Sequence, residues 1–281
     1  MMATFTEMFS YAFMQRALLA SLGIGVLTSL AGFFVVYRRL AFAGVGIAHA
    51  IFGGVALAFV LGIAPLLGGA VFALAIALAI AATSRRGSLS EDSAIGIFFS
   101  AAMALGTVLV ARTTGYVDLF GYLFGNILAV TPQDLYTLLI AGSAVLLFFV
   151  LQFHNLMAVA FSPELAEVDG KPVALLEYGL MLAIAGVVVL AVRMVGIVLV
   201  SALLVIPPAT ARLWARHYRS FILITLAVNL ISSVGGLLLS FFFDLPSGGT
   251  IVLLGTAFFL VSLLVHRLPV RPLARPKAEA T

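Results

Sequence analysis

Apolar runs long enough to cross a membrane recur along this chain, and they limit the folds open to it more than any other feature. A hydrocarbon core of roughly 30 Å is crossed by about 20 helical residues, whereas a membrane β-barrel requires short segments that alternate in polarity. The pattern therefore predicts an all-α fold, a polytopic transmembrane helical bundle with eight to nine spans. The runs that fit this length are residues 17–37, 42–62, 66–83, 93–111, 134–153, 173–192, 195–211, 220–242 and 249–266, with the pair around Arg193 joined by a very tight turn.

The composition agrees with a membrane protein and restricts the chemistry available to it. Of the 281 residues, 63% are hydrophobic and only 9% are charged, against about 25% charged in soluble domains. The chain has no cysteine, so any metal ion must be bound by imidazole, carboxylate, thioether or carbonyl groups. The cations lie between the apolar runs and form no basic block, so the predicted environment is a lipid bilayer and no nucleic acid is expected as a partner.

The cations are distributed unevenly between the two sides of the predicted bundle. With the sides assigned alternately from residue 1, one side holds only Arg16, Arg112 and Arg193. Positive residues collect on the cytoplasmic side of membrane proteins, so we predict an outside N-terminus, a cytoplasmic C-terminus and a cytoplasmic tail at 267–281. The predicted cytoplasmic side holds Arg38, Arg39, Arg85, Arg86, Lys171, Arg212, Arg216, Arg219, Arg267, Arg271, Arg275 and Lys277.

Residues 116–130 form an apolar and aromatic segment that is too short to cross the bilayer. The segment also contains Asp118, Gly121, Gly125 and Asn126. Irregular backbone at membrane depth survives only when it is buried in protein or lines a cavity. Two interpretations stay open for this segment: a re-entrant half-helix that helps to form an outer vestibule, or an amphipathic interfacial helix.

Residues 162–170 contain a complete short helix between two predicted spans. Ser162 is a suitable N-cap and Pro163 fits the first helical position. Glu164 complements the positive end of the helix, and Gly170 suits its C-terminal cap. A capped helix outside the bilayer indicates a docking element for another protein, with a merely connecting helix as the alternative.

The span at 42–62 is rich in glycine and carries His49, the only histidine in the interior of a predicted span, since His266 ends the last one. An ionisable side chain inside the membrane is costly, so by default it faces the bundle interior or a water-filled path. On a helix His49 shares a face with Gly53, which is expected to leave space for a cation beside the imidazole. The alternative is a neutral imidazole that is hydrogen-bonded to a neighbouring carbonyl group.

The sequence contains no motif for ATP hydrolysis. A P-loop requires glycine, four residues and then Gly-Lys-Ser/Thr, whereas Lys171 follows Gly170 but precedes Pro172. The acidic residues lie in loops or near span ends, unlike the mid-span carboxylates of proton-coupled carriers. We therefore predict that the chain is not an enzyme and that the energy for its activity is supplied by another protein.

Several stretches, taken in chain order, form a distinctive pattern. They read FMQRALLA at 13–20, RRLAF at 38–42 leading to HA at 49–50, DSAIGI at 92–97, LFGNIL at 123–128, VGIVLVSALLVIPPATA at 195–211 and DLPSGGTIVL at 244–253. Together they resemble the permease subunits of the zinc, manganese and iron importer family of ATP-binding-cassette (ABC) transporters. The helix at 162–170 is similar to the docking loop of ABC importers through Glu164, Ala166 and Gly170.

The resemblance implies a bundle of the importer-permease type over residues 1–266, which forms the path of a divalent metal ion in the inner membrane of a prokaryotic cell. It implies a homodimer of this chain, ATPase subunits docked on the 162–170 helix, and an extracellular metal-binding protein at the opposite face. The metal ion is then the transported substrate, with His49 as a transient contact, and no cofactor is bound permanently. The choice among zinc, manganese and iron stays open.

One position departs from the family pattern. Members typically read Gly-Asp-Ala-Leu-Ser-His-Ala in the second span, whereas this chain has Val45 in place of the aspartate that lies one turn before His49. Either the ion meets only His49 and carbonyl groups, or the substrate or the mechanism differs. The competing interpretations are a permease for a chelated metal such as a siderophore or cobalamin, an ATP-independent secondary carrier, and a structural membrane subunit.

Overall fold

The computed structural model describes residues 10–85, 87, 89–112, 125 and 127–267, and this part of the chain is helical with no strand. All helices but α6 are long and apolar enough to cross a membrane, which confirms the predicted all-α bundle. The helices are α1 (Ala12–Tyr37), α2 (Ala41–Leu61), α3 (Pro65–Arg85), α4 (Glu91–Val110), α5 (Pro132–Phe161), α6 (Pro163–Val168), α7 (Val173–Trp214), α8 (Tyr218–Phe243) and α9 (Ser247–Arg267), with a 3-10 turn at Ile127–Ala129.

Helix α7 is a pair of spans and not one continuous rod. Its 42 residues would extend about 63 Å as a straight helix, roughly twice the thickness of a hydrocarbon core. Gly196 interrupts the helix with φ 81° and ψ 165°, a backbone conformation that is essentially restricted to glycine. A residue with a side chain would be strained at this position.

Contacts at the two ends of α7 show that the chain reverses at Gly196. Near the start of α7, Glu177 is paired with Arg38 at 3.2 Å, and near its end Arg212 lines one cavity together with Arg39. Residues 38 and 39 are neighbours, whereas residues 177 and 212 would lie about 50 Å apart along a straight helix. The two halves of α7 therefore cross the bundle in opposite directions. This gives nine passes in the described chain and confirms the predicted tight turn.

The centre of the bundle is formed by α1, α2 and α7. In these helices 67%, 61% and 56% of the most apolar stretch is buried, against 11% in α9. Helix α2 packs closely against α3 and α4 because glycines stand at its contacts. A Cβ on Gly54 would lie 2.6 Å from the carbonyl oxygen of Gly68 in α3, and a Cβ on Gly53 would lie 2.6 Å from the carbonyl oxygen of Ala102 in α4. Small residues on one helix permit such close approach of backbones in membranes.

Ion pairs join four helices at the end of the bundle that carries most of the cations, called here the basic end. Arg38, which follows α1, lies 3.1 Å from Glu91 of α4 and 3.2 Å from Glu177 of α7. Arg85 of α3 lies 2.7 Å from the second oxygen of Glu177. The network fixes the ends of α1, α3, α4 and α7 relative to one another.

At the opposite end, the reversal of α7 is covered by the chain that precedes α5. A Cβ on Gly125 would collide with the backbone nitrogen of Gly196, so the two glycine backbones lie in direct contact. Most of the segment predicted at 116–130 lies outside the described residues, which leaves both interpretations of it open. Residues 268–281 of the predicted tail also lie outside them.

Candidate functional site

Among the described residues, one hydrogen bond holds the side chain of His49 in α2. Its Nδ1 lies 2.8 Å from the carbonyl oxygen of Val45, one turn earlier on the same helix. A carbonyl oxygen can only accept, so Nδ1 carries a proton, and the neutral form of the ring then keeps its lone pair on Nε2. The predicted alternative of an imidazole bound to a carbonyl is therefore compatible with a ligand role, because metal-binding histidines usually anchor their other nitrogen in this way.

The imidazole lies on the open face of an otherwise closely packed helix. Phe42 is 64% exposed, and Val45, His49 and Phe52 are half-buried, whereas most other residues in the first half of α2 are buried. These four positions repeat at helical spacing, so they form one stripe along α2. The described chain leaves this side of α2 only partly covered.

The space expected beside His49 is not provided by Gly53. Helix α4 fills that side, because the carbonyl oxygen of Ala102 lies 2.6 Å from where a Cβ on Gly53 would be. Phe99 of α4 approaches the imidazole edge to face, with ring centroids 5.3 Å apart. Glycine at this position thus serves helix packing.

Within the described ranges, no three His, Cys, Asp or Glu side chains lie close enough to hold a metal ion together. The described residues of one copy thus offer an ion a lone imidazole and backbone carbonyls near the middle of α2. Such a donor set can contact an ion in passing.

The predicted helix at 162–170 is present as α6. The backbone N–H of Leu165 donates to the hydroxyl of Ser162, which donates to the Glu164 carboxylate at 2.9 Å. The backbone N–H of Glu164 and the hydroxyl of Ser162 lower the pKa of the Glu164 carboxyl, so it is charged at neutral pH. Gly170 ends the helix at φ 73°, and its N–H donates to the carbonyl of Glu167.

The three predicted docking residues differ in accessibility. Glu164 and Gly170 are exposed, and no described atom lies within 4 Å of where a Cβ on Gly170 would be. Ala166 is only 1% exposed, so its small side chain fits α6 to the rest of this chain.

An apolar stripe beside these residues was missed by the sequence analysis. Phe161, Leu165 and Val168 are 76%, 61% and 84% exposed. Leu165 and Val168, three residues apart, lie on one side of α6, and Phe161 is the last residue of α5 just before it. Exposed apolar patches on a water-facing surface are typical of contacts with other proteins.

Comparisons with known proteins agree with this architecture. A sequence model of the ABC 3 transport family matches residues 10–266. The manganese transport system membrane protein MntC of Halalkalibacterium halodurans is 38% identical over 260 residues, which cover 92% of this chain and 89% of that protein. The manganese import system permease protein ScaB of Streptococcus parasanguinis is 36% identical over 255 residues, 91% of each chain.

A solved structure is similar over the same range. The PsaBC structure from Streptococcus pneumoniae, in complex with Fab, matches with a TM-score of 0.80 and 36% identity, over 92% of this chain and 93% of that one. The family match thus spans the whole described bundle, and the resemblance seen in the sequence is confirmed. This chain belongs to the ABC 3 transport family.

Proposed function

We propose that this permease forms the translocation path of an ATP-driven importer and that the ion it carries is Mn²⁺. Two relatives that match along nine-tenths of this chain are named as manganese transport proteins. The observation that carries the proposal is the free Nε2 of His49 on the open face of α2. An imidazole nitrogen is a suitable donor for a first-row divalent ion.

The few donor groups at His49 favour brief contact with an ion over stable binding of it. Mn²⁺ lies at the weak end of the divalent series for nitrogen and oxygen ligands, and Val45 supplies no carboxylate beside His49. Transport requires release as well as capture. A site of one imidazole and carbonyl oxygens suits an ion that is delivered from one side and leaves on the other.

A second copy of the chain is proposed to complete the path. The stripe of Phe42, Val45, His49 and Phe52 is partly exposed in one copy, and family permeases are expected to work in pairs. If the stripes of two copies face each other, two His49 imidazoles line the same path. An ion between them would then meet two nitrogen donors.

The basic end is proposed to lie in the cytoplasm, since positive residues collect there. Helix α6 lies at this end and presents Glu164, Gly170 and the apolar stripe to the ATPase subunits. An extracellular metal-binding protein then delivers the ion at the opposite end, near the reversal of α7. ATP hydrolysis in the partners alternates the access of the path.

Reconstitution tests the proposed function. The permease is placed in proteoliposomes with its ATPase partner and metal-binding protein, and uptake of radioactive Mn²⁺ is measured with and without ATP and against Zn²⁺ and Fe²⁺. We expect uptake that requires ATP and prefers Mn²⁺. Uptake without ATP would show a secondary carrier, and uptake of a siderophore or cobalamin in place of the free ion would show a chelate permease.

A further inference from the structure

A cavity of about 450 Å³ opens at the basic end, within the usual size range of small-molecule sites. It lies between α1, α5, the end of α7 and the start of α8, and none of the functions above uses it. The residues that line it are Phe33, Val36, Tyr37, Arg39, Met157, Arg212, Ala215, Arg216, His217, Tyr218 and Phe221.

The charged side chains around this cavity are all of one sign. Arg39, Arg212 and Arg216 line it together with His217, and the lining includes no acidic side chain among the described residues. No ion pair joins these arginines to another described residue, in contrast to Arg38, which contacts two glutamates. The topological preference for cations explains why arginines lie at this end, but it does not explain why these three surround a cavity without a counterion.

Arg39 occupies a backbone conformation that normally selects glycine. Its φ is 60°, and it ends α1 while the N–H of Leu40 donates to the carbonyl of Val35 at 2.7 Å. A side chain in the left-handed region is strained. The residue that adopts this conformation here lines the cavity with its side chain.

The remaining lining is apolar and aromatic. Phe33 and Phe221 are buried, whereas Tyr37 and Tyr218 are 39% and 38% exposed. Tyrosine at the end of a span is typical of the membrane interface. A soluble anion would be bound by the arginines alone, whereas a lipid presents a phosphate joined to apolar chains, which matches both parts of this lining.

We propose that this cavity binds the headgroup of an anionic phospholipid. The arginines pair with the phosphate, and the upper part of the acyl chains lies against the apolar wall. Basic pockets between spans at the membrane surface bind anionic headgroups by this chemistry. A lipid bound in the cavity would join α1, α5, α7 and α8 at the end of the bundle where the ATPase subunits are proposed to dock.

Native mass spectrometry of the full-length permease tests this site independently of transport. Phosphatidylglycerol is compared with phosphatidylcholine, and the variant is Arg39→Gln/Arg212→Gln/Arg216→Gln. We expect the parent protein to retain phosphatidylglycerol and not phosphatidylcholine, and the affinity to fall on the order of fivefold for each arginine removed. The matched control Arg271→Gln/Arg275→Gln/Lys277→Gln removes the same charge from the tail and should bind as the parent does.

Other outcomes overturn the proposal. Equal retention of phosphatidylglycerol by the triple variant and the parent would refute it. If glycerol 3-phosphate protected the permease against thermal unfolding as well as phosphatidylglycerol does, the ligand would be a soluble anion. If the triple variant retained lipid as the parent does but lost ATPase binding, the arginines would contact a protein. If the triple variant misfolds, Arg216→Gln alone replaces it, because Arg216 is exposed, and it should still bind phosphatidylglycerol about fivefold more weakly.

Discussion

At the scale of single residues, the proton on His49 decides what the ring can do. Because Nδ1 donates to the carbonyl of Val45, the neutral form of the ring has a single tautomer, in which Nε2 is the acceptor. The same bond orients the ring, since the carbonyl belongs to a rigid helix. A ligand that is already oriented loses little conformational freedom when an ion arrives.

Replacing His49 should remove transport while leaving the fold intact. His49→Ala and His49→Gln delete the ring nitrogen, and we expect ATP-dependent Mn²⁺ uptake in proteoliposomes to fall about tenfold or more, equivalent to about 1.4 kcal/mol. The control His154→Gln, at an exposed position of α5, should transport normally. Val45→Asp should tighten binding of the ion if both positions face the path. Normal uptake by both His49 variants, with assembly intact, would remove His49 from the path.

Gly196 should tolerate no side chain. Alanine there would be forced into a region of φ and ψ that only glycine populates, at a cost of about 1–3 kcal/mol, and it would lie against the backbone of Gly125. We expect Gly196→Ala to lower the temperature of unfolding in detergent. The matched change Gly96→Ala, in α4 where no described atom lies within 4 Å of the added Cβ, should stabilise the protein by about 0.5–1 kcal/mol. A Gly196→Ala protein as stable as the parent would contradict the sharp reversal of α7.

Local chemistry explains which residues could be predicted from the sequence. The N-cap at Ser162 depends only on groups within three residues, and its prediction from the sequence is confirmed. The prediction that Gly53 leaves space beside His49 was wrong, because the carbonyl group of Ala102 fills that space. Ala102 lies about fifty residues later, on another helix. The role of His49 and of the docking residues stays a prediction.

At the scale of elements, α6 combines a rigid cap with an exposed surface. Its six residues are too few to be stable alone in water, so packing of Ala166 against the chain holds it in place. The exposed side chains of Phe161, Leu165 and Val168 then face away from this contact. Motion of a docked partner would be transmitted through α6 to α5 and α7, which it joins.

A bulky residue at Gly170 should uncouple the partner. Gly170→Trp places an indole where the partner is expected to approach, so we expect loss of ATPase binding in co-purification, or hydrolysis without uptake. Gly87→Trp is a close control, since Gly87 has φ 74° against 73° for Gly170 and a Cβ would be equally unobstructed. Both variants carry the same backbone strain, so a difference between them reports docking. Normal assembly and uptake by Gly170→Trp would reject the docking role of α6.

At the scale of the whole molecule, the orientation in the membrane follows from the cations and can be measured directly. The chain has no cysteine, so single cysteines report without background. Leu89→Cys at the basic end should be protected from an impermeant thiol reagent in intact cells, and Ala111→Cys at the opposite end should react. Both positions are exposed. The reverse pattern of labelling would invert the proposed orientation.

The apolar runs predicted most of the architecture, because each span is selected by its own length and apolarity. The nine predicted runs correspond to the nine passes, including the pair that meets at Gly196. The cavity at the basic end could not be predicted in this way. Its walls come from segments around residues 33–39, 157 and 212–221, and only the packing of α1, α5, α7 and α8 brings them together.

The reversal at Gly196 also constrains how the protein is inserted during synthesis. If the basic end is cytoplasmic, as proposed, the single residue between the two halves of α7 would leave no hydrophilic loop outside while the second half is still on the ribosome. The halves would then leave the translocon together, as a helical hairpin whose ends both stay on the cytoplasmic side. Arg193, at the tip of that hairpin, enters beside Asp134 of α5, which has already been made. The carboxylate that neutralises this arginine is thus in the membrane before the arginine arrives.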